Sequence, residues 1–528
     1  MSDQMQGYLS IVLHAHLPFV RHPEHERFLE ENWLFEAITE SYLPLLQTME
    51  GWRQDGMNWQ LTLTLSPTLC AMLLDPLLQN RYLGYLEGLL ELSEKELHRT
   101  HWDKAFRELA QMYRHRLTAL LHTYQSYNRD LVGAFRKFQA SGQLEIITSA
   151  ATHALLPLLA SSKTSLRAQI LVARDHYRSC FGTDPKGIWL PECAYCEELD
   201  PILQEAGIRW FITDTHGLLH ARPRPRYGVF APLFTPHGIA AFGRDLDSAR
   251  QVWSKESGYP GDPRYRDFYR DIGYDLDYDY VRPYLPVQNV RSFTGIKYHA
   301  ITGDADAKKI YNRGAALQTA ADHADHFLRS RMEQVRNLTG IMDRPPIIVA
   351  PYDAELFGHW WYEGPDFLNY TVRKLVYDQK TLVMTTPWNY LRENPTQQVA
   401  QPSPSSWGDE GYYKVWLNET NEWIYPHLDI AQERMTALVR LHPKAKGLKL
   451  RALKQAGREL LLAQSSDWPF ILRTGTSPEY ARKRVTTHLV RFIALHEQLT
   501  ATHVNELWLA KIESKDNLFP DINPYYWA

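Results

Sequence analysis

The stretch "GIWLPECAY", residues 187–195, ends an apolar run on an ionisable group, Glu192. A carboxylate at the mouth of a buried element costs several kcal/mol unless it is paired or hydrogen-bonded. Glu192 therefore reads either as a structural hydrogen-bond hub or as a reactive group. A second carboxylate, Asp353, directly follows the run "IIVAP" in "VAPYDAELFGHWW". Two carboxylates facing one another across a cavity can cleave a glycosidic bond: one attacks the anomeric carbon and the other protonates the departing oxygen. The proton donor needs a raised proton affinity, which burial and the field of its partner would both supply. Trp360 and Trp361, just downstream, would exclude water or stack on a sugar, or else belong to an ordinary aromatic core.

His14 and His16 form an H-x-H pair, and on a strand residues i and i+2 share a face. With His153 and His216 they could complete a metal site. As neutral imidazoles they would equally serve hydrogen bonds to sugar hydroxyls, or simply be satisfied structural histidines. The same residues thus support two enzyme classes: a carboxylate-pair glycosidase and a metal-dependent barrel hydrolase. Cys193-x-x-Cys196 has redox spacing, but it lacks a thioredoxin-like context and reads as structural. "WGDEGYYKVWLNETNEWIYP" (407–426) brings Trp407, Trp416 and Trp423 together, as a polysaccharide platform or a domain-interface core. "AQSSDWPFIL" (463–472) sets Ser465, Ser466 and Asp467 in an otherwise apolar helical stretch, which points them at a cleft or a neighbouring domain.

The elements that must position these groups follow from hydrophobic periodicity. Apolar runs at 8–16, 58–67, 143–154, 187–192, 207–217, 238–245 and 345–355 read as strands, with helical patterns such as 162–180 and 196–206 between most of them. A βα order repeated about seven times implies a parallel sheet, and at this length a barrel. The apolar runs end in His14 and His16, His153, Glu192, Asp214 and His216, and Asp353 and Glu355. In a parallel barrel all of those ends open on one face, so residues distant in sequence would converge. Residues 68–142 read as nearly continuous helix and form an insertion. The Tyr-, Asp- and Pro-rich stretch 246–290 has no clear period, yet its tyrosines argue against disorder. "NPTQQVAQPSPSSWGDEG" reads as a linker or domain boundary, and 428–513 as amphipathic helices.

Bulk properties bound the answer. A chain of 528 residues suggests two or three domains, or one large barrel with additions. A net charge of -3 without a long basic run argues against nucleic acid and a membrane surface as partners. The four cysteines are too few for a disulfide-stapled secreted chain. The N-terminus has no basic region before its short apolar run, so a signal peptide is not expected, and a cytoplasmic location is. Aromatic residues make up 12%, and rings with a polar handle suit ligands that, like sugars, have apolar faces and hydroxyl edges.

Five ordered blocks, "HAHLPF", "LEIITSAATHA", "GIWLPECAY", "APYDAELFGHWW" and "WGDEGYYKVWLNETNEW", resemble glycoside hydrolase family 57, and most closely its 1,4-α-glucan branching subgroup. The resemblance implies an α/β fold: an incomplete (β/α)7 barrel over 1–400, interrupted by the 68–142 insertion, and a C-terminal all-helical domain over 401–528 that contributes to the glucan site. It implies Glu192 as nucleophile and Asp353 as general acid/base of a retaining transfer, for which the carboxyl groups stand about 5–5.5 Å apart. It also implies substrate contacts from His14, His16, His153, Trp407, Arg266 (in "YRDFYRD") and Asp467 (in "SSDW"). The expected partner is an α-1,4-glucan, the expected cofactor and metal are none, and the expected state is a monomer or weak homo-oligomer. Branching members use a loop tyrosine that has no matching motif here; the 244–263 region offers Arg244, Trp253 and Tyr259.

Overall fold

The computed structural model describes residues 5–254, 258–287, 289–303, 308–501 and 503–528. Ten strands form two sheets: β1 (Gly7–Ala15), β2 (Leu61–Leu65), β3 (Leu144–Ile147), β4 (Gly187–Ile188), β5 (Trp210–Thr213), β6 (Leu233–Phe234), β7 (Ala240–Gly243), β8 (Ile347–Asp353), β9 (Leu382–Met384) and β10 (Gln398–Val399). The first sheet runs β3-β2-β1-β8, with β9 also on β1. The second runs β10-β6-β7-β5-β4. All pairings are parallel except β6 with β7.

Two short seams bend these sheets toward a ring. A single bridge, Thr148 to Ile188, joins β3 to β4, and the Trp189 N–H donates to the Thr148 carbonyl at 2.8 Å. Beyond β7, the Asp245 N–H donates to the Val349 carbonyl of β8 at 3.0 Å. Seven parallel strands thus form an incomplete barrel. The strands are shorter than the apolar runs suggest. Pro67, for example, sits in the first turn of helix Pro67–Leu73 rather than closing β2, and Ser66 caps that helix through the Leu69 N–H. A proline at the first helical position loses nothing, because its missing N–H would have no partner there.

The barrel interior is filled from alternate positions. Tyr8 and Val12 of β1, Trp210 and Ile212 of β5, Ala240 and Phe242 of β7, and Ile347 and Val349 of β8 share one apolar cluster. The strand period of two carries each row on to a polar terminus: His14 beyond Val12, Asp214 beyond Ile212, Arg244 beyond Phe242 and Asp353 beyond Val349. Register aligns two of these directly, since His14 is paired with Asp353 across β1 and β8. The same alternation that builds the core therefore delivers chemistry to its C-terminal rim.

The insertion between β2 and β3 consists of helices Pro67–Leu73, Pro76–Arg99, Lys104–Ser126 and Leu131–Ala140. The stretch 394–411, read as a linker or domain boundary, is stitched to the barrel. Gln401 bridges Arg222, Ser405 bridges Tyr195, and the Ser403 N–H donates to the Gly217 carbonyl at 2.9 Å. Its Pro and Ser content reflects an extended path over the barrel rather than a tether. Helices Ile424–Leu441, Gly447–Ala463, Asp467–Thr474, Pro478–Thr500 and Glu506–Lys515 follow. No helix among the described residues is long and apolar enough to cross a membrane.

Candidate active site

Glu192 leaves β4 through a 3-10 turn, Pro191–Cys193, and adopts φ 62°, ψ 23°, with Cys193 at φ 49°. Two successive side chains in the left-handed region cost about 1–3 kcal/mol each, so the surrounding structure must enforce them. Trp407 does so twice. Its backbone N–H donates to the Glu192 carbonyl at 2.9 Å, and its indole N–H donates to Glu192 Oε2 at 2.7 Å. The other carboxylate oxygen accepts from Ser466 Oγ at 3.0 Å.

That second contact starts a directional chain. Ser466 Oγ lies 2.9 Å from His153 Nδ1, and His153 Nε2 lies 2.9 Å from His14 Nε2. If the Ser466 proton points at Glu192, His153 Nδ1 must donate to Ser466, and His14 Nε2–H must donate to His153. His14 Nδ1 is then a bare acceptor, in agreement with its being buried without a hydrogen-bond partner. Both imidazoles are held well below their usual proton affinity, first by burial and then by neighbouring histidines, so both are neutral. Rings stack throughout: His16 on His153 at 3.8 Å and His14 on Trp189 at 4.4 Å between centroids. His16 bonds Ser66 Oγ at 2.8 Å through Nδ1 and reaches Asp467 at 3.1 Å through Nε2.

Burial pushes Glu192 up to about 7, against the hydrogen bond from Trp407. Asp353 is raised well above the carboxylate range by burial first, then by the charges of Glu355 and Glu192, while Arg244 acts downward. The two acids therefore share one electrostatic environment. Glu355 is itself pushed up to about 7, mainly by burial; it accepts from the Tyr42 hydroxyl and from the His16 N–H at 3.2 Å. Tyr42 belongs to a π-helical turn, Ile38–Tyr42, on which Gly358 closes. A Cβ at Gly358 would lie 1.8 Å from the Glu40 carbonyl, and its φ is +122°, so only glycine fits.

The structure gathers His14, His16, His153, Glu192, Trp407 and Asp467 into one bonded group, with Asp353 beside His14 on the neighbouring strand. It places Arg266 elsewhere. That side chain is 1% exposed, pairs with Glu40 at 3.3 Å, bonds Tyr113 at 3.2 Å and lies over the Tyr362 ring. That guanidinium is held by Glu40, which in turn holds His359 at 2.6 Å. His216 also lies apart from the other histidines and pairs with Asp214 at 3.4 Å and the Gly411 carbonyl at 2.8 Å. The alternative four-histidine metal arrangement is thus not assembled. Among the described residues, the group that could chelate is Glu459, His488 and Asp516, in the C-terminal helices. Trp361 is buried in the core, whereas Trp360 is half exposed. Cys193 and Cys196 are both buried free thiols.

Within the 244–263 region, residues 255–257 lie outside the described residues. Tyr259 is buried and its hydroxyl is held by His326 Nδ1 at 2.7 Å. Trp253 reaches the mouth, with ring centroids 6.2 Å from Trp407 and 6.4 Å from Trp360. Ser466 and Glu355 are the functional neighbours that sequence reasoning under-used. Ser466 was visible as a polar break in an apolar helix, and Glu355 as a second acid at the end of β8.

The comparisons with known proteins agree with this geometry. The family model described as glycosyl hydrolase family 57 matches residues 10–403, and the model described as the C-terminal part of 1,4-alpha-glucan branching enzyme matches 427–527. A 1,4-alpha-glucan branching enzyme of Thermococcus kodakarensis, TK1436, is 33% identical over 99% of this chain and 79% of its own length. The crystal structure titled as the alpha-amylase AmyC from Thermotoga maritima superposes with TM-score 0.93 at 42% identity, covering 99% of both chains. The branching enzyme from Pyrococcus horikoshii does so with TM-score 0.89 at 32% identity, covering 99% of this chain and 97% of its own. With three quarters of its length matched by the family model, this chain belongs to glycosyl hydrolase family 57.

Proposed function

We propose that this protein is a 1,4-α-glucan branching enzyme: a retaining transglycosylase that cleaves an α-1,4 linkage and passes the severed chain to a glucan 6-OH. The observation that carries the reading is the pair of carboxyls at the barrel rim, Glu192 in the turn just after β4, with Trp407 and Ser466 donating to it, and Asp353 at the end of β8. Glu192 attacks C1 while Asp353, kept protonated by burial and neighbouring charge, gives its proton to the departing O4. A β-linked glucosyl ester forms on Glu192. Asp353, now ionised, takes the proton of the incoming hydroxyl, and that oxygen displaces Glu192 from C1. The neutral imidazoles of His14 and His153, with His16 and Asp467, form a fixed polar wall suited to the hydroxyls of the reacting glucose. Trp407 and Ser466 donate to Glu192 and stabilise its charge as it leaves.

The names of the relatives support an α-1,4-glucan as substrate, and the C-terminal match supports branching. A second reading, hydrolysis, draws support from the 42% identity to a protein titled as an alpha-amylase and from the burial of Tyr259, which is not free to act as a lid. Water and a glucan hydroxyl compete for the same intermediate, so the two readings differ only in acceptor. Incubation with amylose followed by enzymatic debranching decides between them. Branching predicts new α-1,6 linkages with little gain in reducing ends; reducing ends without new branch points would replace it with hydrolysis.

A further inference from the structure

Glu192 is approached from two sides. Its Oε1 faces Ser466 and the histidines, and its Oε2 faces Trp407. Ser406 and Gly408, on either side of Trp407 in the chain, line a cleft of about 510 Å³ together with Asp214, His216, Arg244, Glu410 and Tyr412. None of these belongs to the bonded group around Glu192. The size falls in the ~300–1,000 Å³ range of small-molecule sites and gives room for a short run of glucose units.

We propose that this cleft is the acceptor-chain subsite, in which the Tyr412 ring and the Asp214–Arg244 pair hold an incoming α-glucan. The inference rests on the transferase reading above. Three observations converge on it. First, Arg244 links the cleft to the reacting centre: it ends the inward row of β7, bonds Asp214 at 3.2 Å and lies 5.5 Å over the Trp407 ring. Its charge also bears on Asp353, the group that must deprotonate an acceptor. Second, Tyr412 is 52% exposed and stands edge-on to His216 at 5.1 Å. An exposed ring held rigid by a neighbour is the kind of platform on which a pyranose face stacks. Third, the wall is built rather than incidental. His216 is fixed between Asp214 and the Gly411 carbonyl, and a Cβ at Gly411 would lie 2.6 Å from the imidazole, so the loop can close there only with glycine. Asp214 and Arg244 together present acceptors and donors in fixed positions, which matches vicinal hydroxyls.

The test uses the full chain with amylose as donor and a reducing-end-labelled maltooligosaccharide as added acceptor. The fraction of cleavage events that label the acceptor is followed as acceptor concentration rises. Tyr412→Ala should raise the half-saturating acceptor concentration about 5- to 20-fold while the labelled fraction at saturation recovers. Tyr412→Phe should stay within about 2-fold of the parent, because it keeps the ring. An unchanged half-saturation in Tyr412→Ala overturns the proposal. So does an equal loss of labelling at every acceptor concentration, which would place the residue in the chemistry rather than in acceptor binding. If the parent protein labels no acceptor at any concentration, the transferase reading fails and takes the subsite with it.

Discussion

Two buried clusters in this molecule have nearly the same composition and different consequences. In the C-terminal helices, Glu459, His488 and Asp516 are fully buried; His488 Nδ1 lies 2.7 Å from Glu459, and Arg491 and Arg484 pair with Asp516. At the barrel mouth, Glu192 and Asp353 stand among histidines, a serine and an indole, and neither makes an ion pair with a lysine or arginine among the described residues. Burial raises the acids of both clusters. The difference lies in what compensates them. Guanidinium partners in a sealed site turn acids into struts, and removing one partner strands a charge. Neutral donors at an open rim leave the acids free to exchange protons with a substrate. The histidines diverge likewise. His488 is pinned to a carboxylate, while His14 and His153 hand one hydrogen bond along to Glu192.

The largest effect should come from removing the uncompensated acid. Glu192→Gln is expected to lower transfer and hydrolysis together by at least about 10³-fold. It should also stabilise the fold. The folded carboxyl titrates near 7 against 4.5 for an unperturbed one, so its ionisation costs folding free energy as pH rises through that interval. The amide removes that cost, and a gain of roughly 1–3 kcal/mol at pH 8 in denaturant unfolding is expected. Activity retained, or stability lost, would erase the distinction between the clusters.

The converse substitution, Asp516→Ala, should cost about 3–5 kcal/mol of stability by leaving two guanidinium groups unpaired. Specific activity of the folded fraction should remain at the parent level. A selective activity loss at unchanged stability would assign that cluster a role beyond packing.

The pH profile sharpens the comparison further. Glu192 must be ionised and Asp353 protonated, so kcat/KM should rise as pH passes about 7 and fall where Asp353, raised well above the carboxylate range, loses its proton. Smallest of all, Ser466→Ala removes a donor to Glu192. Its acid limb should move upward by roughly one unit while the alkaline limb stays in place. A downward move would mean that Ser466 does not donate to Glu192.

Much of the barrel was legible because strand chemistry repeats every two residues. The apolar rows and their polar ends, His14, Asp214 and Asp353, could be read before any coordinates. Strand ends were not: the β4 ladder stops at Ile188, before the apolar run does, and hydropathy does not register where pairing partners run out. Short strands such as β6, β9 and β10 carry too few residues to show a period. At 394–411, Pro and Ser suit both a tether and an extended chain bonded to its neighbours, so composition does not separate the two. Of the site, the carboxylates and the H-x-H pair stood out, but Ser466 meets Glu192 from 274 residues away, a closure that only tertiary packing specifies. Arg266 shows the same limit. Its type fits a sugar contact, but Glu40, from another part of the chain, takes the guanidinium inward.

The account turns on Glu192 carrying the glucosyl group. The most direct measurement is intact-protein and peptide mass spectrometry of Asp353→Ala after exposure to α-maltosyl fluoride. Fluoride departs without an acid, and loss of the base slows release of the ester. The account predicts a maltosyl adduct mapped to Glu192 within 187–195. An adduct on any other residue, or turnover without an adduct, would contradict it.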